Sequence, residues 1–230
     1  MPKILLVGSG RLARHLNYWN SLSITPSEIQ IWSRRQNSLD ELYTWGQKAD
    51  IVWLAISDSS LVHFYEEHFS SFRKPIVHFS GALDDARLIS AHPLMSFPTE
   101  LMPPEVYGQI HFVVTGTDTL KKILPGFQNS FSLLKAQNKA FYHALCVMAG
   151  NFPQLLWSEI FPSFEKLHIP DRAVETYIKQ ITINFIELRN NSLTGPLVRK
   201  DQITIEKNLT SLTNSKLKTI YQNFVEVFTK

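Results

Sequence analysis

The chain has 230 residues, 44% of them apolar and 19% charged, and a net charge of +3 with its histidines neutral. That balance excludes a disordered chain and offers no dense basic stripe for nucleic acid. The single cysteine, Cys146, excludes an internal disulfide and a cysteine-built zinc site, and it reads as a small buried hydrophobe.

The length is comfortable for two small domains. Met1 runs straight into a strand-like stretch, so no signal peptide is expected. No apolar run approaches the roughly 18 residues of a membrane span, so the expectation is a cytoplasmic protein with no membrane partner.

Residues 3–7 form an apolar strand ending at Gly8, and residues 11–19 a helix with Leu12, His15, Leu16 and Trp19 on one side. A strand over 29–32 and a helix over 39–45 follow. Residues 49–56 are apolar almost throughout, as a parallel strand covered on both faces should be. A helix over 61–69, a strand over 75–79 and a later strand over 110–114 complete the pattern.

From residue 140 the periodicity is helical, over 141–161, 172–188, 202–209 and 214–228, with Asp171 an N-cap candidate for the second. The expected class is therefore α/β: a doubly wound, mostly parallel sheet over residues 1–130, then an all-α domain over 131–230, with the boundary near 125–138.

Gly8-Ser9-Gly10-Arg11-Leu12-Ala13 matches G-x-G-x-x-[G/A] between a strand and a helix. Gly8 permits the tight turn, Gly10 lets backbone approach a pyrophosphate, and Ala13 keeps helix and sheet close. The helix N-terminus then offers free N–H groups and positive dipole to phosphates. This is the dinucleotide-binding pattern of a Rossmann sheet, though the same residues could make a tight structural turn.

The second strand runs into Ser33-Arg34-Arg35 with no carboxylate at its tip. NAD sites place an Asp or Glu there for the ribose 2′-OH, whereas guanidiniums bind a 2′-phosphate bidentately. The expected cofactor is NADP(H), unless the two arginines merely solvate a turn. Further cofactor contacts are expected from Ser57 and Asp58 after the third strand and from Ser80 after the fourth. Asp58 could instead cap its helix.

In order, the glycine turn, residues 49–58, residues 78–83 and residues 91–98 resemble the 6-phosphogluconate dehydrogenase-like and ketopantoate reductase-like group of Rossmann reductases. Two later segments resemble presumed oxidoreductases with a helical C-terminal domain of uncharacterised function. One is Lys139-Ala140-Phe141-Tyr142-His143-Ala144 followed by Gly150-Asn151. The other runs from Ser192 through Thr194, Gly195, Pro196 and Arg199 to Asp201, followed by Thr204.

The resemblance implies a two-domain NAD(P)-dependent reductase, a homodimer through its C-terminal helices. It implies a small carboxylated carbonyl substrate, most specifically ketopantoate (2-dehydropantoate) reduced to pantoate. The alternatives are an imine reductase resembling pyrroline-5-carboxylate reductase, and a sensor that binds NADP without turnover.

In the wider superfamily the first helix of the second domain supplies a Lys or His and an Asn, which points to His143 and Asn151. At eight residues' separation they fall on roughly the same side of one helix. His143 suits a proton donor, with Lys139 one turn earlier as a competing acid. His92, in the proline-bounded stretch 91–98, is a second donor candidate. Each histidine could instead be a satisfied core residue. Arg199 and Thr194 are the candidates for a substrate carboxylate, unless Arg199 pairs with Asp201. No His, Asp or Glu grouping has metal-ligand spacing, so no metal is expected.

Overall fold

The computed structural model describes residues 1–229 and divides into two compact units, Met1–Gly150 and Asn151–Lys230. The first unit is built on a seven-stranded sheet. Its strands are β1 (Lys3–Val7), β2 (Glu28–Trp32), β3 (Ile51–Leu54), β4 (Ile76–His78), β5 (Ile89–Pro93), β6 (Phe112–Thr115) and β7 (Phe131–Leu133). Their order is β2-β1-β3-β4-β5-β6-β7. The first five run parallel; β6 pairs antiparallel with β5, and β7 pairs parallel with β6. This is the mostly parallel α/β class expected from alternating strands and helices.

Period-2 side chains explain why the central strands read as unbroken apolar runs. Ile4 and Leu6 of β1 pack with Trp53 of β3, Trp19 and Phe112 on one face. Leu5 and Val7 pack with Val52, Leu42, Leu61 and Phe69 on the other. The helices covering these faces are α1 (Arg11–Ser21), α2 (Leu39–Lys48) and α3 (Asp58–His68). In α1 the buried residues are Ala13, His15, Leu16, Trp19 and Asn20, which form the inward stripe of an amphipathic helix. A reciprocal Ser38–Glu41 capping box starts α2. At its other end Lys74 donates to the carbonyls of Gly46, Gln47 and Ala49, which the helix leaves open.

Several elements depart from the sequence pattern. Residues 91–93 belong to β5 rather than to a loop, so His92 is a strand residue. The short helix α4 (Pro104–Gln109) and β7 carry too few residues to show a period. The sequence pattern sets the boundary near 125–138, but β7 and the helix α5 (Lys139–Cys146) fall within the first unit. Lys139 explains α5: its side chain is buried against the ends of β4 and β5. After α5 comes a π-helical turn, Val147–Asn151.

The described residues of the second unit contain helices and no strand: α6 (Phe152–Lys166), α7 (Asp171–Leu188), α8 (Gln202–Ser211) and α9 (Ser215–Phe228). Asp171 is not the N-cap of α7; Pro170 holds that position, and Asp171 is the first helical residue, where its charge meets the positive end of the dipole. Among the described residues no helix is long and apolar enough to cross a membrane, and no group of three or more His, Cys, Asp or Glu could hold a metal ion.

Candidate active site

Gly8 and Gly10 bound the turn between β1 and α1, and the fold treats them differently. Gly8 has φ +125°, and a Cβ there would lie 2.3 Å from the Ala55 carbonyl oxygen. Only glycine fits, because that φ and that approach each exclude a side chain. Gly10 is the N-cap of α1 in extended backbone, and a Cβ on it would meet no atom within 4 Å. Nothing inside the chain requires glycine at position 10. No side chain caps α1 and no acidic residue occupies its first turn, so its first N–H groups and positive dipole remain available to an anion.

The turn forms one wall of a cleft of about 560 Å³. Of the residues expected to touch a cofactor, Gly8, Ser9, Gly10, Arg11, Leu12, Ser33, Arg34, Arg35 and Ser57 line it. Arg34 and Arg35 are exposed on the turn after β2. Ser33 beneath them is buried, its N–H bonded to Asn37 Oδ1 at 3.0 Å. Ser57 Oγ lies 2.8 Å from Ser60 Oγ.

Sequence reading missed the cleft's aromatic side, where the rings of Trp32 and Phe64 lie 5.9 Å apart. Trp32 is the last residue of β2, so the rule that ligands lie at carboxyl strand ends could have found it; Phe64 reaches the cleft from α3 and needed the fold.

Asp58 and Ser80 do not line the cleft but bond each other beside it. Ser80 Oγ donates to Asp58 Oδ2 at 2.5 Å and accepts the N–H groups of Ala82 and Leu83. Asp58 is not a cap either; Ser57 holds the N-cap position of α3. Residues 57 and 58 thus join the cleft to a second polar region built around Gly81.

That region gathers residues far apart in sequence. The β4–β5 register pairs His78 with Ser90, so His92 follows two residues beyond on β5, as Ser80 does after β4. A Cβ on Gly81 would lie 2.9 Å from His143 Cδ2 and 3.1 Å from His92 Nε2. The fold therefore brings the two histidine candidates to one point and leaves room there for glycine alone. His92 Nδ1 is 2.7 Å from the Tyr142 hydroxyl. Lys139 donates to the Ser80 carbonyl at 3.1 Å and to Ser90 Oγ at 2.5 Å.

The electrostatics follow from burial. Desolvation, helped by the Lys139 charge, lowers both His78 and His92 from 6.5 to about 4. Desolvation also lowers Lys139 from 10.5 to about 8, opposed by Asp84 and Asp58. Desolvation raises the Tyr142 hydroxyl. At neutral pH His78, His92 and Tyr142 are therefore all uncharged.

Asn151, Thr194 and Arg199 belong to the second unit. Asn151 ends the π turn, so the 3.6-residue spacing that aligned it with His143 does not hold across the intervening residues. Arg199 donates to the Thr194 carbonyl and fastens its own loop, while Asp201 caps α8 through Thr204.

The family model described as "Domain of unknown function (DUF2520)" matches residues 110–227. No curated protein matches the chain. Among solved structures, a presumed NADP oxidoreductase from Bacteroides fragilis is similar with a TM-score of 0.77 at 18% identity, over 99% of this chain and 98% of that one. A Thermotoga maritima protein is similar with a TM-score of 0.73 at 22% identity, over 98% and 96%. A Plasmodium falciparum pyrroline carboxylate reductase with NADP bound gives 0.55 at 13% identity, over the whole of both chains. These likenesses show a common fold.

Proposed function

The chain belongs to the DUF2520 family, a name that carries no chemistry, and from its own site we propose that it is an NADPH-dependent reductase of a small carboxylated carbonyl or imine compound. One observation carries this reading. The strand–helix turn holds a second glycine that no contact within the chain requires, at an uncapped helix N-terminus, opposite two exposed guanidiniums and no carboxylate. A dinucleotide phosphate fits that arrangement: backbone at Gly10 can approach it, α1 supplies N–H groups, and Arg34 and Arg35 suit a 2′-phosphate. The NADP bound to the Plasmodium falciparum reductase of like fold supports the same cofactor here.

When bound, the reduced nicotinamide supplies the hydride. This chain's residues supply the proton and the positioning. His92 and His143 meet beside Gly81, next to the cleft through Asp58 and Ser80. Lys139 is the weaker candidate for the acid, because its buried ammonium already donates to Ser80 and Ser90, bonds that anchor α5. Asn151, Thr194 and Arg199 remain our candidates for the substrate carboxylate.

Ketopantoate is the most specific acceptor we propose, and a cyclic imine such as 1-pyrroline-5-carboxylate is the rival, favoured by the likeness to the Plasmodium pyrroline carboxylate reductase. We also propose a homodimer through the helical unit. Tyr177, Ile181, Phe185 and Leu188 of α7 are exposed, as are Phe224, Val227 and Phe228 of α9, and apolar helix faces of this kind need cover. Light scattering on pure protein tests it, and a monomer at all concentrations removes it.

The function is tested by calorimetry with NADPH and NADH, then by following NADPH absorbance against 2-oxo acids and cyclic imines. Tighter NADPH binding and turnover of one acceptor class are expected. Binding without turnover of any acceptor would establish the sensor instead, and no heat from either nucleotide would end the reading.

A further inference from the structure

The hydroxyl of Tyr142 lies 2.7 Å from His92 Nδ1 and beside Cys146, one turn further along α5. Two proton arrangements are open to this chain. In one, the phenol donates to Nδ1. In the other, Nδ1–H donates to the phenol, and the phenol sends its own proton elsewhere, with the Cys146 sulfur as the nearby acceptor.

The first is favoured on two grounds. Phenol O–H is a good donor and imidazole nitrogen a good acceptor, whereas sulfur is a weak acceptor. The 2.7 Å separation also matches the usual O–H donor distance, shorter than the usual N–H donor distance. The proton on His92 is then assigned to Nε2, the atom beside Gly81.

We propose that Tyr142 is a positioning residue: it holds His92 as the neutral Nε2–H tautomer, so that His92 presents a fixed N–H beside Gly81 and leaves proton exchange to His143. The surroundings agree. Facing His92 are Lys139, Tyr142 and His143 from α5, Asp58 from α3 and His78 from β4. Lys139 and His143 oppose a positive charge on His92 and Asp58 favours one, but burial is the largest effect and keeps the ring neutral.

Among the described residues the His143 side chain makes no hydrogen bond, so its nitrogens are unengaged. The role in reaction rests on the reductase reading. There the acceptor gains a hydride at carbon from the reduced nicotinamide and one proton at oxygen or nitrogen from protonated His143. His143 is left neutral and regains a proton from water, while His92 donates a hydrogen bond throughout without losing its proton.

The test compares wild type with Tyr142→Phe, which keeps the ring and removes the hydroxyl. Long-range nitrogen–proton NMR on cofactor-free protein reads the His92 tautomer directly. Wild type is expected to show Nε2–H alone between pH 6 and 8, and Tyr142→Phe a mixture of tautomers. With NADPH and the acceptor, kcat is expected to fall about 10- to 100-fold with KM and NADPH affinity nearly unchanged.

His92→Gln, whose amide can accept from Tyr142 and donate beside Gly81, should retain more kcat than His92→Leu. An Nδ1–H tautomer in wild type, or an unchanged tautomer and kcat in Tyr142→Phe, would overturn the proposal. Absence of NADPH binding would instead overturn the reductase reading and the reaction role with it; the tautomer result stands or falls on NMR alone.

Discussion

The turn after β1 and the cluster after β4 and β5 lie at carboxyl ends of the same sheet, and they dispose of their polar groups differently. At the turn, α1 starts without a side-chain cap, Gly10 makes room that no side chain fills, and two guanidiniums are exposed. In the cluster, Lys139, Ser80, Ser90, Asp58, His92 and Tyr142 all bond one another or nearby backbone, and among the described residues no buried side-chain polar atom lacks a partner. On the reductase reading, the contrast separates binding from chemistry. Backbone groups left open can grip an anion as it arrives, whereas a proton-handling group must be aimed beforehand by its neighbours.

The largest expected effect distinguishes the two glycines of the turn. Gly8→Ala puts a side chain at φ +125° and a Cβ 2.3 Å from the Ala55 carbonyl. Strain and overlap together should cost about 4 kcal/mol or more, read as a lowered urea midpoint. A stable Gly8→Ala protein would show that the turn is not set by the fold.

Next comes acid sensitivity, which belongs to the cluster. His78 and His92 titrate near 6.5 when unfolded but at about 4 when folded. Between those values the unfolded chain binds protons that the folded one refuses. Their contribution is thus complete above pH 6.5 and lost as pH falls through 4. From pH 7 to 5 each ring should remove about 1–2 kcal/mol, and His92→Gln should remove its share of that slope in urea titrations at the two pH values. Lys139 acts at the other end: its folded value near 8 makes stability rise with pH between 8 and 10.5, and Lys139→Met should flatten that rise.

The turn was legible in the sequence because its chemistry is local. Gly8, Gly10 and the two arginines stand within a few residues of a strand end, and spacing alone places them. The cluster was not, because its contacts join distant residues: His92 meets Tyr142 across 50 positions, and Lys139 meets Ser80 across 59. Helical spacing put Lys139 beside His143 as a rival acid, but no pattern could reveal that its ammonium is consumed by a carbonyl and a serine. Tyr142 lay inside the recognised motif without a role, since nothing in that segment marks His92 as its partner. The Asp58 bond was hidden for the same reason: its partner Ser80 is 22 residues away.

A smaller effect tests the specificity of the open region. Arg34→Ala with Arg35→Ala removes the cations beside the cleft without touching the buried Ser33 beneath them. NADPH affinity should fall by about 2 kcal/mol, roughly 30-fold, with NADH affinity little changed. Equal losses for both nucleotides would assign the arginines to general phosphate attraction rather than to the 2′-phosphate.

The least disruptive variant sharpens the comparison most, because Gly10→Ala separates stability from binding at one atom. Its Cβ meets nothing within 4 Å, and its extended backbone suits any residue. Alanine is a poorer N-cap than glycine but restricts the unfolded chain more, so the two effects largely cancel. Stability should stay within about 0.5 kcal/mol. The methyl group would nevertheless occupy the space through which backbone must approach a pyrophosphate, and NADPH affinity should fall about tenfold, near 1.4 kcal/mol. Calorimetry beside a urea titration of the same sample checks both. Should affinity hold while stability drops, glycine at position 10 serves the fold after all, and the distinction between the two ends of the turn disappears.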